Sequence, residues 1–296
     1  MAERGAAERS GVIHDLGYRP YTGPRCGEGA IARALFVNGF LNAFGIGRSG
    51  RSKVLPFLLL ALNLLPAVIV VGAMVLVGLQ TLPVSYAQYA STTQVLLGIF
   101  VASQAPVLFS RDLRHGTITL YLARPLRAAH YALARWAALL AATLVFLLLP
   151  ILMLYVGALL GELDASTQTE DAAKAVLLVV LLALTLTGVA ALIASVSVRR
   201  GFAVVSTIAV LLLGNGIVTA VQGIATDQER PRIGEIAGLF SPYSLYRGAG
   251  ATLSGLDSLT PPTGAGMEAA YFVTFVVLAG LCLGLLLLRY RKVAGR

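Results

Sequence analysis

The sequence predicts an all-α membrane protein with six transmembrane helices and both termini in the cytoplasm. Three observations carry this. Hydrophobic residues make up 57% of 296 positions and charged residues only 12%, against roughly a quarter charged in soluble domains. Apolar runs recur at about the 20 residues a helix needs to cross a bilayer. Positive charge concentrates in alternate connections between those runs. The net charge of +9 does not indicate nucleic-acid binding, because the positives flank apolar segments instead of forming a folded basic face.

Residues 1–28 form a polar, basic leader without the apolar core of a signal peptide, and are expected to stay in the cytoplasm. Residues 29–52 read as an amphipathic helix. Phe36, Phe40 and Phe44 recur every fourth residue beside Val37 and Leu41, while Asn38 and Asn42 point elsewhere. Aromatic residues between basic flanks suit a membrane surface.

The transmembrane domain is expected over 53–290, with spans at 54–79, 91–109, 136–160, 172–198, 201–225 and 269–288. The second is the weakest, a short apolar run carrying Ser103, Gln104 and Pro106, lengthened by borrowing 91–94. Charge requires it. With six spans, 19 of the 23 Lys and Arg fall on the cytoplasmic side and nine of the fourteen acids on the other. Omitting the second span would place the loop containing Arg111, Arg114, Arg124, Arg127 and Arg135 outside, against the positive-inside rule.

Spans four and five are joined by little more than Arg199 and Arg200, which predicts a tight antiparallel hairpin. Residues 226–268 form the long external segment. Its middle is too polar to span yet carries Ile236, Leu239, Phe240, Tyr243, Leu245 and Tyr246, so it either lies at the surface or re-enters the membrane. Residues 291–296 are the cytoplasmic tail.

No catalytic or metal-binding constellation is expected. The six apolar runs hold no Asp, Glu, His or Arg, which weighs against ion-coupled transport. The three histidines lack metal-ligand spacing, and none of the three lysines belongs to a phosphate-cradling GxxxxGK loop. Energy for uphill movement would have to come from another chain. Ser103, Gln104 and Asn215 are candidates for a translocation path, because Pro106 frees a backbone carbonyl and such irregularity is tolerated next to protein or water. Gly157/Gly161 and Gly280/Gly284 have the spacing of close helix contacts.

The segment SRDLRHGTITLYLARPLRAAHY, 110–131, interrupts this apolar chain with charge. Thr117 after Gly116 suits an N-cap. Ile118, Leu120 and Tyr121 make the following turns apolar, and the helix must end near Arg124, since the residue before Pro125 avoids the α region. A two-turn helix is unstable alone. This one therefore presents an apolar knob, ringed by Asp112, Arg114 and Arg124, that either sits in a partner's groove or packs on the membrane surface or its own chain.

The basic loop after the second span, reading Asp112-x-x-x-Gly116-Thr117-(apolar)-Pro125, the helix before the first span and the long segment before the last together resemble permease subunits of type-2 ABC transporters. The leader IHDLGYRPYTGPR resembles actinobacterial members. The resemblance implies that the loop is a coupling helix docking on an ABC ATPase, formed by Asp112, Arg114, Gly116, Thr117, Ile118, Leu120, Tyr121, Arg124 and Pro125. It implies that the Phe36/Phe40/Phe44 helix is the connecting helix and that 226–268 is re-entrant. The chain itself would bind no cofactor, with ATP and Mg held by two ATPase copies, and would pair with an identical or homologous permease in the plasma membrane. The function implied is export of a hydrophobic or amphipathic cargo such as a drug, natural product, lipid or peptide. The alternative is a non-transporting scaffold or sensor that recruits a cytosolic partner.

Overall fold

The computed structural model describes residues 23, 27–114, 116, 121 and 126–294, apart from the side chains of 293 and 294. Among them are six helices long and apolar enough to cross a membrane. Helix α1 (Glu28–Ala43) precedes the first, α2 (Arg51–Val77). A short α3 (Tyr86–Thr92) leads into α4 (Gln94–Leu108), which continues as α5 (Ser110–Arg114) to complete the second span. The third and fourth are α6 (Ala128–Leu160) and α7 (Ala165–Val196). The fifth is α8 (Arg200–Ile208), a π-helical turn (Ala209–Leu213) and α9 (Gly214–Asp227). Two short helices, α10 (Pro231–Gly238) and α11 (Pro242–Ser254), precede the sixth, α12 (Ala265–Ala294).

Local chemistry places the breaks. Pro231 and Pro242 occupy first-turn positions, where a missing N–H costs nothing. Gly45 turns the chain from α1 to α2 at φ 70°, a left-handed conformation that favours glycine. The side chain of Asp164 caps α7 by accepting bonds from the backbone and hydroxyl of Thr167 and from the hydroxyl of Ser166. Those bonds, led by the two hydroxyls, hold its carboxyl at about 2, below the ordinary 3.8. The cap's contribution is therefore full above pH 3.8 and disappears as pH falls through 2. Asp164→Ala is expected to speed hydrogen exchange in the first turn of α7 at neutral pH, with the difference from wild type vanishing towards pH 2.

Successive spans run in opposite directions. The Tyr131 ring at the start of α6 lies 5.5 Å from Tyr290 near the end of α12. Ser110 donates to the Ala194 carbonyl near the end of α7 at 2.8 Å. At the opposite end, Tyr86 of α3 donates to Gln168 at the start of α7, and Tyr246 of α11 donates to the Ala87 carbonyl. Helix α1 sits at the first end, against Ala138 and Arg135 of α6. Thus α1 and the end of α12 share one end of the bundle.

Burial explains the weak second span. In the 18-residue apolar stretch of Gln94–Arg114, 72% of residues are buried, against 22% in the corresponding stretches of the first, fifth and sixth spans. Helix α4 is the centre of the bundle, surrounded by protein, so it needs less apolar surface than a lipid-facing helix. The expected boundaries need two adjustments here. Thr93 separates α3 from α4 at ψ 12°, and the extra length comes from the Ser110–Arg114 end, not from 91–94. Similarly, the third span starts at Ala128, with Arg127 in an extended conformation before it.

Two expectations about packing are revised. Leu35, Gly39 and Ala43 form the buried face of α1, and a Cβ on Gly39 would come within 2.8 Å of Ala138. The phenylalanines form a ladder instead: Phe36, Phe40 and Phe44 contact one another in turn, and Phe44 leads to Phe100 and then Phe146 in the core. Helix α1 also ends at Ala43 and does not run on to 52. The Gly157/Gly161 pair makes the close helix contact its spacing suggests, within the chain, since a Cβ on Gly157 would overlap Val71 and one on Gly161 would reach Met74. Gly280 and Gly284 meet nothing.

Candidate functional site

The anchor of the 110–127 loop is the most elaborate polar cluster at the α1 end. Asp112 is 4% exposed and accepts bonds at 2.6 Å from both Arg135 and Tyr131. The guanidinium of Arg135 also lies 5.6 Å from the Tyr131 ring centre, and Tyr131 touches Tyr121 and Tyr290. Residues 19 and 23 positions downstream thus clamp the start of the loop to the helix that follows it. Gly116, at φ 65°, turns the chain just beyond.

Of the loop residues singled out from the sequence, Thr117, Ile118, Leu120, Arg124 and Pro125 lie outside the described residues. Arg114 is exposed, and Tyr121 packs on Tyr131. Asp112 is placed differently from the expectation that it rings an exposed knob. It is buried and committed to Arg135, which the sequence showed only as one of the loop's five basic residues and not as a partner for Asp112. An acid and an arginine flanking one loop were the available signal.

Between α1 and this anchor lies a cavity of about 410 Å³, lined by Leu35, Asn38 and Asn42 of α1 with Arg111, Tyr121 and Arg135. Asn38 and Asn42 therefore face the loop base, opposite the phenylalanine ladder.

Ser103 and Gln104 are buried within the bundle on α4. They are 5% and 4% exposed, Ser103 donates to the Phe100 carbonyl of its own helix, and Gln104 donates to Ser103. Thr185, Thr187 and Thr207 similarly bond carbonyls of their own helices. Asn63 does bridge helices, donating to the Phe146 carbonyl.

Asn215 belongs to a separate network midway along the fifth span, just after the π-helical turn. Its Oδ1 accepts from Ser241 at 2.9 Å and from Arg247 at 3.4 Å, and Arg247 also donates to Thr219 at 3.2 Å. Arg247, half-buried and without a carboxylate partner among the described residues, was legible from the sequence only as a loop charge. The α10–α11 hairpin carrying it is held by buried polar groups. Gln222 donates to the Gly234 carbonyl, and Tyr271 to the Glu235 carbonyl at 2.8 Å. Thr263 donates to the Glu235 carboxylate, and Tyr243 to the Gln94 carbonyl.

Compared with known proteins, the chain matches no protein-family model, and no curated protein matches it. What the fold defines is a class: a multi-pass, all-α protein of the plasma membrane, with six spans in a layout consistent with a generic permease.

Proposed function

We propose that this chain is the membrane permease subunit of an ATP-driven ABC exporter, taking its energy from a separate ATPase. One observation carries the reading: the loop after the second span is braced by a buried ion pair, Asp112 with Arg135, directly beside α1. A loop that transmits force needs a stiff attachment to the helix it moves, and a buried charge pair with two further partners supplies one. On this reading the α1 end faces the cytoplasm, where most of the positive charge lies. The loop docks on the ATPase, α1 is the connecting helix, and the α10–α11 hairpin is re-entrant from the outside. Its tyrosine and glutamine bonds to backbone carbonyls are what irregular backbone needs at membrane depth.

On this reading Asn215, joined to Arg247, which also bonds Thr219, supplies polar lining for the path between this chain and a second permease. The cargo is an amphipathic or hydrophobic molecule, and two ATPase copies supply ATP and Mg. The alternative of a scaffold or sensor gives docking without movement.

The test is co-expression with any ABC ATPase found encoded beside this chain, followed by reconstitution in vesicles. The expected result is a complex in which ATP hydrolysis depends on the permease and drives cargo into the lumen of inside-out vesicles. Failure of any neighbouring ATPase to associate overturns the reading, and association without ATP-dependent movement favours the scaffold.

A further inference from the structure

Four arginines from three parts of the chain converge at the α1 end of the bundle. Arg48 from the α1–α2 turn, Arg111 and Arg114 from α5, and Arg200 from the start of α8 line one cavity of about 70 Å³. None of the four has an ion pair among the described residues. The nearest acid in sequence, Asp112, is committed to Arg135 and Tyr131. Burial, and then the charges of Arg111 and Arg200, hold the Arg48 guanidinium below its ordinary pKa. Arginine keeps its proton at neutral pH nonetheless, so the mutual repulsion persists.

A second source of positive potential points the same way. Helix α8 begins at Arg200 with no side-chain cap and no acid in its first turn, leaving its first N–H groups and the positive end of its dipole for an anion. The cavity is too small for a drug-sized ligand, which needs roughly 300 Å³ or more, but suits a single anionic group.

The surroundings identify what carries that group. Pro106, Val107 and Val198 form the cavity's apolar side, with Ser110 beside them. From Arg200, the outward surface of α8 continues with Phe202 and Val205, 67% and 66% exposed. An anion held by the arginines would thus have an apolar strip running away from it along a membrane-spanning helix. We infer that this cavity binds the phosphate of an anionic phospholipid headgroup, with the acyl chains lying along α8. Basic pockets between transmembrane helices at a membrane face are suited to such headgroups. The inference does not rest on the exporter reading, since it requires only that this end of the bundle meets a lipid headgroup layer.

The test uses the full chain in nanodiscs of phosphatidylcholine alone or with phosphatidylglycerol, reading thermal unfolding and the phospholipid retained in native mass spectrometry. Phosphatidylglycerol is expected to raise the unfolding temperature of the wild type, and inorganic phosphate at the same concentration is not. Arg48→Gln with Arg200→Gln is expected to weaken phosphatidylglycerol retention by about tenfold or more, whereas Arg291→Gln, an exposed arginine at the same end, leaves it unchanged. Because the double variant relieves repulsion, it should unfold no earlier than wild type in phosphatidylcholine. If it does not fold, Arg114→Gln alone carries the test and must still weaken retention. Equal stabilisation by inorganic phosphate overturns the lipid assignment. Equal retention by the cavity and Arg291 variants overturns the site. Indifference of the wild type to phosphatidylglycerol, as expected if the arginines await an acidic protein surface, overturns the proposal as a whole.

Discussion

Asp112→Ala will lower the unfolding free energy by about 3–5 kcal/mol, because it leaves the Arg135 charge buried and unpaired. The pair is 2.6 Å apart with side chains 6% and 5% exposed, so solvent cannot take over the lost partner. Arg135→Ala should cost a similar amount by stranding the carboxylate. Asp112→Asn keeps an acceptor for Tyr131 and should fall between these variants and wild type. The decisive comparison is the double replacement Asp112→Leu with Arg135→Met, which removes both charges and is expected to be far less damaging than either single alanine. Thermal or denaturant unfolding in detergent checks all four. If the single and double variants lose stability additively, the two side chains do not act as a pair. The same series separates fold from function: a well-folded double variant that still loses permease-dependent ATP hydrolysis would show that the charge pair transmits force as well as holding the loop.

Gly248→Ala will displace the α10–α11 hairpin, at a cost of about 1–3 kcal/mol from overpacking. A Cβ at Gly248 would overlap the Tyr271 ring, and one at Gly238 would overlap the same tyrosine's hydroxyl. Tyr271 is therefore wedged between two glycines, one on each arm of the hairpin, while its hydroxyl donates to the Glu235 carbonyl. A smaller residue at 271 should make room, so Gly248→Ala combined with Tyr271→Leu is expected to be more stable than the sum of the single effects predicts. Unfolding of the four members of this cycle tests the wedge, and additivity would argue against it. Cross-linking between cysteines placed at Ser241 and Asn215, whose side chains are bonded at 2.9 Å, would report the displacement directly.

Residue pairing explains why part of the candidate site was legible and part was not. The loop after the second span stood out because charge is rare in this chain, and the turn at Gly116 and the packing of Tyr121 lie within it. Asp112 was singled out for its charge, but its orientation depends on Tyr131 and Arg135, 19 and 23 positions downstream, and no local pattern pairs them with it. Ser103 and Gln104 attracted notice as polar residues in an apolar run. Their low exposure follows from the central position of α4, which no local pattern encodes. The bond between Thr219 and Arg247 was invisible for the same reason: they meet only when the hairpin folds back onto α9.

The sequence by itself determined the number, order and approximate limits of the spans, and the tight turn at Arg199 and Arg200. Transfer of an apolar helix into lipid is a local property, summed residue by residue along one segment. Only the tertiary structure decided which face of α1 is buried, that Gly157 and Gly161 receive α2, and where each buried polar group finds its partner. Those outcomes depend on side chains far apart in the chain, such as Tyr243 and the Gln94 carbonyl, separated by 149 positions. A buried donor or acceptor takes whichever partner the packing brings within reach, and hydropathy carries no record of that choice.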